Sequence, residues 1–178
     1  SWNVENVLNM NNMFQANSAF NANISAWKPL SVKGLRKTFK NATAFNNGFP
    51  AGSAGTATIS NTLDWNMPNL GSDLTNDWRW YGLYATFSGA PAFNSYINNW
   101  NVSSVTNISY MLYNATSFNQ PLDNWNVGSV RFMEDVFRGA TSFNQPIGNW
   151  DVTSVEKFNN MFQNASTLDQ DISCWCVP

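Results

Sequence analysis

The chain of 178 residues has no histidine, and only 11% of it is charged, well under the ~25% usual for a globular domain. Without His there is no Ser-His-Asp triad, no Cys-His pair and no imidazole ligand for a metal. The few charges nearly cancel, to a formal −2. Phosphate contacts need Lys and Arg in excess, so nucleic-acid binding is not expected. No apolar run reaches the ~18–20 residues of a transmembrane helix, and no signal-peptide pattern is present. The chain opens on Ser1 rather than Met, as a processed chain or a part of a longer one does. Cysteine is limited to Cys174 and Cys176, one residue apart. The pair is a candidate for a strained disulfide, for pairing with another chain, or for two reduced thiols. Alone it falls short of the four ligands of a structural metal site. Neither metal nor cofactor is expected.

Aromatics and asparagine are abundant instead. Nine Trp and thirteen Phe bring the aromatic share to 15%, and there are 29 Asn. That much aromatic surface argues for a packed core rather than disorder. Trp2, Trp27, Trp65, Trp100, Trp125, Trp150 and Trp175 are spaced by 25, 38, 35, 25, 25 and 25 residues. The long spacings are a 25-residue unit with insertions near 47–62 and 71–83. Residues 1–178 therefore form one repeat domain of about six coils plus a terminal strand.

The columns of the repeat have physical meanings. Ile97, Trp100 and Val102 recur as Leu122, Trp125, Val127 and as Ile147, Trp150, Val152. This spacing predicts a short strand with alternate side chains inward. Polar pairs such as Ser103-Ser104 and Thr153-Ser154 follow, as helix N-caps do. Val105, Ile108, Met111, Leu112 and Ala115 then recur at helical spacing. Asn114, Gly139 and Asn164 stand where a helix end takes a left-handed residue. Each unit closes on Phe-Asn, with Leu168-Asp169 in the last. The asparagine column reads as a ladder of side-chain amides satisfying the next coil's backbone, or as a polar binding row. The expected fold is an α/β repeat solenoid of leucine-rich-repeat type, with short parallel strands on one face and helices on the other.

The pattern W-x-V-x-x-V-x-x-M-x-x-M-F-x-x-A-x-x-F-N resembles the roughly 25-residue repeat of BspA-like leucine-rich-repeat surface proteins. The resemblance covers nearly the whole chain. It implies an extracellular or surface-displayed module used in adhesion or protein interaction, and it offers no catalytic residues to carry over. Two departures stand out: Lys28-Pro29-Leu30 shifts the valine column by one residue, and Thr38 and Thr86 replace the first Met of the Met-Phe pair.

Four features lie outside the core pattern. The first insertion, small and Gly-rich, reads as a surface loop. The second holds Trp78, Arg79, Trp80 and Tyr81, residue types that anchor interfaces or stack on sugars. Lys33, Arg36, Lys37 and Lys40 fall on one face of the second unit's helix. They form either a solvated face or a docking patch for an acidic partner or anionic membrane. Sequons at Asn23, Asn41, Asn101, Asn107, Asn114 and Asn164 are candidate glycan sites in a secreted protein.

The leading expectation is a non-enzymatic scaffold for protein or glycan interaction. The alternative is an accessory subunit of a larger assembly, for example an algal membrane complex, in an organelle lumen or peripheral to the membrane. Paired carboxylates (Asp73 with Asp77, Glu134 with Asp135, Asp169 with Asp171) are the only acid–base candidates, and nothing in the pattern converges them on one cleft.

Overall fold

The computed structural model describes residues 2–56, 61–72 and 82–177. Among these residues there is no helix and no extended strand. The only sheet-like pairing is a set of isolated parallel bridges: Asn9 to Gly34 to Gly82, Thr62 to Tyr96, and Asn107 to Phe132 to Lys157. The expected α/β solenoid of strands and helices is therefore wrong. The units do stack on one another, but turns build them.

The segment expected to be helical shows why. In unit 4, the N–H groups of Ile108, Tyr110, Leu112 and Asn114 donate to the carbonyls of Phe132, Glu134, Val136 and Arg138 at 2.8–3.1 Å. Those acceptors lie in the next unit. The intervening N–H groups of Met111, Tyr113 and Ala115 donate three residues back, to Ile108, Tyr110 and Leu112. An α-helix would send every N–H four residues back and leave none for a neighbour. Tyr110 and Asn114 have φ of +59° and +53°, which no helix tolerates. Left-handed residues four apart recur in the other units, as Asn12 and Ala16, Lys37 and Asn41, Ala85 and Gly89, Asp135 and Gly139, Asn160 and Asn164. The left-handed conformation expected at Asn114, Gly139 and Asn164 is thus present, without the helix it was meant to end. We call this segment the turn ribbon. Its apolar spacing buries Val105, Ile108, Met111, Leu112 and Ala115 completely, as a helix would.

Tryptophan forms a second column. Trp65, Trp100, Trp125 and Trp150 are buried, and adjacent rings stack, Trp65 on Trp100 at 6.0 Å and Trp150 on Trp175 at 6.3 Å. From Trp65 onward, the indole N–H groups of this column reach back to the segment before the preceding tryptophan. Trp125, Trp150 and Trp175 donate to the carbonyls of Ile97, Leu122 and Ile147 at 3.0–3.1 Å. A buried indole needs such a partner. At the N-terminal end Trp2 is 63% exposed. The polar pairs cap no helix: Asn101 and Asp151 accept from the backbone N–H groups of Ser103 and Thr153, closing Asx turns.

Both departures from the repeat are absorbed. The valine column is not shifted. Pro29 is itself buried at that position, and Val32 N–H donates to its carbonyl as Val105 N–H does to that of Val102. Thr38 and Thr86 are buried, and their hydroxyls donate to carbonyls of their own and the preceding unit, Leu35 and Met10 for Thr38, Leu83 and Leu35 for Thr86.

The asparagine column is the ladder. The side-chain oxygens of Asn21, Asn46, Asn94, Asn119 and Asn144 accept the backbone N–H groups of Asn46, Asn94, Asn119, Asn144 and Asp169 at 2.7–3.0 Å. One residue type, repeated, satisfies the turn of the unit above. Phenylalanines stack beside it, Phe93 on Phe118 at 5.6 Å and Phe118 on Phe143 at 6.0 Å. The described residues of the first insertion are mostly exposed or half-buried, as a surface loop's are, but its two ends tie into this column. Asn47 and Asn61 are buried, Asn61 bridges Asn46 and Ser95, and the N–H groups of Gly52 and Gly55 donate to Ala92 and Asn94 carbonyls.

Candidate functional site

Stacking copies of the turn ribbon makes a continuous outer surface. Residues at equal ribbon positions become neighbours across units, because the inter-unit bonds fix the register. The carbonyls of Arg36, Tyr84, Ser109 and Glu134 accept from successive units at one position, and those of Lys40, Ser88, Tyr113 and Arg138 at another. Lys37, Ala85, Tyr110 and Asp135 hold a third, set by the bonds their own N–H groups donate.

These positions carry the most distinctive chemistry among the described residues. Tyr84, Tyr110 and Tyr113 are half-buried. Tyr84 lies 5.6 Å from Tyr110 at an interplanar angle of 58°, and Tyr110 lies 6.0 Å from Tyr113 at 51°. Cations flank the cluster on both sides. The Arg36 guanidinium sits over Tyr84 at 5.5 Å, and that of Arg138 over Tyr113 at 5.7 Å, within range of a cation–π attraction. Arg138 also pairs at 3.0 Å with Asp135, which is buried. Burial, followed by the Asp135 charge and its hydrogen bond, pushes the Tyr110 phenol above its ordinary value, so the ring stays neutral.

The four predicted basic residues divide. Arg36, Lys37 and Lys40 lie on the outer side of the ribbon, between buried Leu35, Thr38 and Phe39. The predicted shared helix face does not exist; turns bring these three together. Lys33 precedes the ribbon, its N–H bonded to Leu8. Burial and the neighbouring charges of Arg36 and Lys40 hold the Lys37 ammonium below the ordinary lysine range.

Trp78, Arg79, Trp80 and Tyr81 lie outside the described residues. Cys174 and Cys176 are exposed free thiols with no bridge between them. The candidate disulfide is therefore absent. Five sequon asparagines, Asn23, Asn41, Asn101, Asn114 and Asn164, are exposed. Asn107 is not: it is buried, at a bridge position, with its side-chain oxygen bonded to Ser109 N–H. The fold closes it to a glycan. No cluster of three or more His, Cys, Asp or Glu among the described residues is arranged to hold a metal.

The tyrosines were not predicted. Tyr84 belongs to unit 3 and Tyr110 and Tyr113 to unit 4, so no single repeat shows the cluster. Writing the units beneath one another and reading the variable outward columns would have found it.

A family model described as "Mycoplasma protein of unknown function, DUF285" matches residues 1–69 and 81–178. The unmatched stretch falls on the second insertion. No curated protein and no solved structure matches the chain.

Proposed function

The chain belongs to the DUF285 family, a repeat family related to BspA-like surface proteins, and from that premise we propose a non-enzymatic repeat scaffold of BspA-like type, secreted or displayed at a cell surface, that holds a protein or glycan. The observation that carries this reading is the ribbon face itself: three half-buried tyrosines with a guanidinium over each end. Tyr and Arg are the side chains that supply most energy at interfaces, because their bodies are apolar and their tips form hydrogen bonds. The stacked units hold them at fixed spacing, so little ordering entropy is lost on binding.

The test is binding of the intact chain to a panel of purified matrix proteins and glycans, repeated with Y84A/Y113A. We expect at least one partner to bind and the variant to lose about tenfold or more in affinity at unchanged melting temperature. A panel with no binder, or a binder indifferent to the variant, contradicts the reading.

A second reading, an accessory subunit of a larger assembly, is favoured by the N-terminal end. Trp2, Leu8 and Met13 are exposed there, and a recess of about 230 Å³ is lined by Trp2, Phe14, Phe20, Ile24 and Trp27. Exposed apolar surface of this kind marks interaction sites. Native mass spectrometry of protein isolated from its source decides: a species with the mass of one polypeptide and no partner removes the subunit reading.

A further inference from the structure

The outer ribbon face has a lopsided charge. Lys37 and Lys40 stand in unit 2 beside Arg36, and the next two units place Tyr84, Ala85, Ser88, Ser109, Tyr110 and Tyr113 at the corresponding positions. None of these nine positions holds a carboxylate. Among the described residues, the nearest acids along the ribbon, Glu134 and Asp135, come one unit later, and Asp135 is engaged by Arg138. The chain as a whole is acidic, at −2, so this concentration of cations is not a sample of a generally basic surface. Among the described residues, neither Lys37 nor Lys40 has an ion-pair partner.

We propose that this face binds a sulfated polysaccharide, its sugar rings packed on Tyr110 and Tyr113 and its sulfate groups held by Lys37 and Lys40. The inference rests on the scaffold reading above and names the ligand class for that face.

Three arguments favour this ligand. Aromatic faces pack against the C–H face of a pyranose, and Tyr110 and Tyr113, inclined at 51° to each other, offer two facets side by side within unit 4. Stacked bases of a single-stranded nucleic acid want platforms repeated along a groove of many cations, and this face has three. Second, the lysines sit among like charges: burial and the Arg36 and Lys40 charges disfavour the Lys37 ammonium, and a bound anion would relieve that repulsion. Third, side chains at equal positions recur once per unit, at the 5–6 Å separations of the stacked rings. That is the scale of one sugar residue, so a linear polymer laid along the stack meets a new row with each ring.

The experiment uses the intact chain and four probes: a heparin-derived oligosaccharide, the same oligosaccharide chemically desulfated, neutral dextran, and oligo-dT. Affinities are measured across a salt series for the wild type and for K37A/K40A, Y110A/Y113A and Y110F/Y113F. The sulfated oligosaccharide should bind and the other three should bind at least about tenfold more weakly. K37A/K40A should lower affinity and flatten the dependence of log K on log salt by about two contacts' worth. Y110A/Y113A should weaken binding by about tenfold, the scale of one or two lost aromatic platforms, with the salt slope unchanged. Y110F/Y113F keeps the rings and should bind as wild type, which separates lost stacking from a damaged fold. Equal binding of oligo-dT, equal binding of the desulfated sugar, or indifference to Y110A/Y113A would each overturn the proposal. If no sugar binds while a purified protein binds in the Y84A/Y113A-sensitive manner above, the scaffold reading stands and the polysaccharide falls.

Discussion

At the scale of single residues, the backbone runs against side-chain preference at several points. Ala16, Lys37, Ala85 and Tyr110 adopt φ of 53–59°, a region where a Cβ is strained and glycine is not. Ala16 is exposed, so its methyl contributes little in return. Ala16→Gly is expected to stabilise the fold by about 0.5 kcal/mol, the relieved strain less the added freedom of the unfolded chain. Gly139→Ala should do the opposite. Its φ is +69° and an added Cβ would lie 2.1 Å from Asn114 Oδ1. The two variants, melted side by side in denaturant, should move in opposite directions, and a shared direction would refute the backbone argument. A second residue-scale expectation concerns Asp151. The Thr153 hydroxyl, and then its N–H, bond the ionised carboxylate and hold its pKa below the ordinary range. A depressed folded-state pKa contributes stability at pH above the unfolded value of ~3.9, lost as pH falls through the folded value. Thr153→Ala should raise the Asp151 pKa in an NMR titration; an unmoved value would contradict this cause.

At the scale of the repeating elements, the tryptophan column separates packing from hydrogen bonding. Trp125 is buried, and its indole N–H is bonded to the Ile97 carbonyl. Trp125→Ala removes both and should cost roughly 3–5 kcal/mol. Trp125→Phe keeps most of the ring and leaves the carbonyl unpaired, which should cost about 1–3 kcal/mol. Equal losses would mean the ring's packing contributes nothing beyond the hydrogen bond, and an unchanged stability of Trp125→Phe would mean the hydrogen bond contributes nothing. The same columns show how much the bare sequence reveals. Which side chains face inward was legible, because a 25-residue period repeats them in each unit. So was the asparagine ladder, since a polar residue fixed beside a core Phe has turn backbone to satisfy. The helix was misread for a specific reason. Over residues 105–115, the apolar spacing of a 3.6-residue helix and that of turns repeating every four residues bury the same five side chains. What distinguishes them is where the N–H of Tyr110 goes, and that depends on the unit stacked next to it. Pro29 misled in the same way, since proline fits the strand-like column once no strand N–H is required there. The tyrosine face escaped notice because variation between units, not repetition, creates it.

At the scale of the whole molecule, the turn ribbon of each unit bonds to the ribbons of the units before and after it, so stability should approach a one-dimensional rule of unit and interface terms. The inter-unit bonds are nearly equivalent in length: Phe14 to Thr38 is 2.8 Å, and Leu112 to Val136 is 3.0 Å. Local geometry alone therefore predicts equal protection of the two N–H groups. A stack predicts otherwise. In the 178-residue chain to be measured, Phe14 belongs to the first unit, and Leu112 is flanked on both sides. Local openings begin where fewest contacts must break. Native-state hydrogen exchange should show Leu112 exchanging near the rate of global unfolding and Phe14 substantially faster. Trp2→Ala, at a 63% exposed end residue, should change stability by less than ~0.5 kcal/mol, whereas Phe93→Ala, fully buried mid-stack, should cost about 3–5 kcal/mol. Equal exchange at Phe14 and Leu112 would mean the stack opens as a single block. The distinction bears on function, because Lys37, Tyr84, Tyr110 and Tyr113 lie in units 2 to 4, away from both ends. A face that stays closed while the ends fray keeps its spacing, and binding there should leave the exchange of Leu112 unchanged while any partner seated on Trp2 would slow that of Phe14.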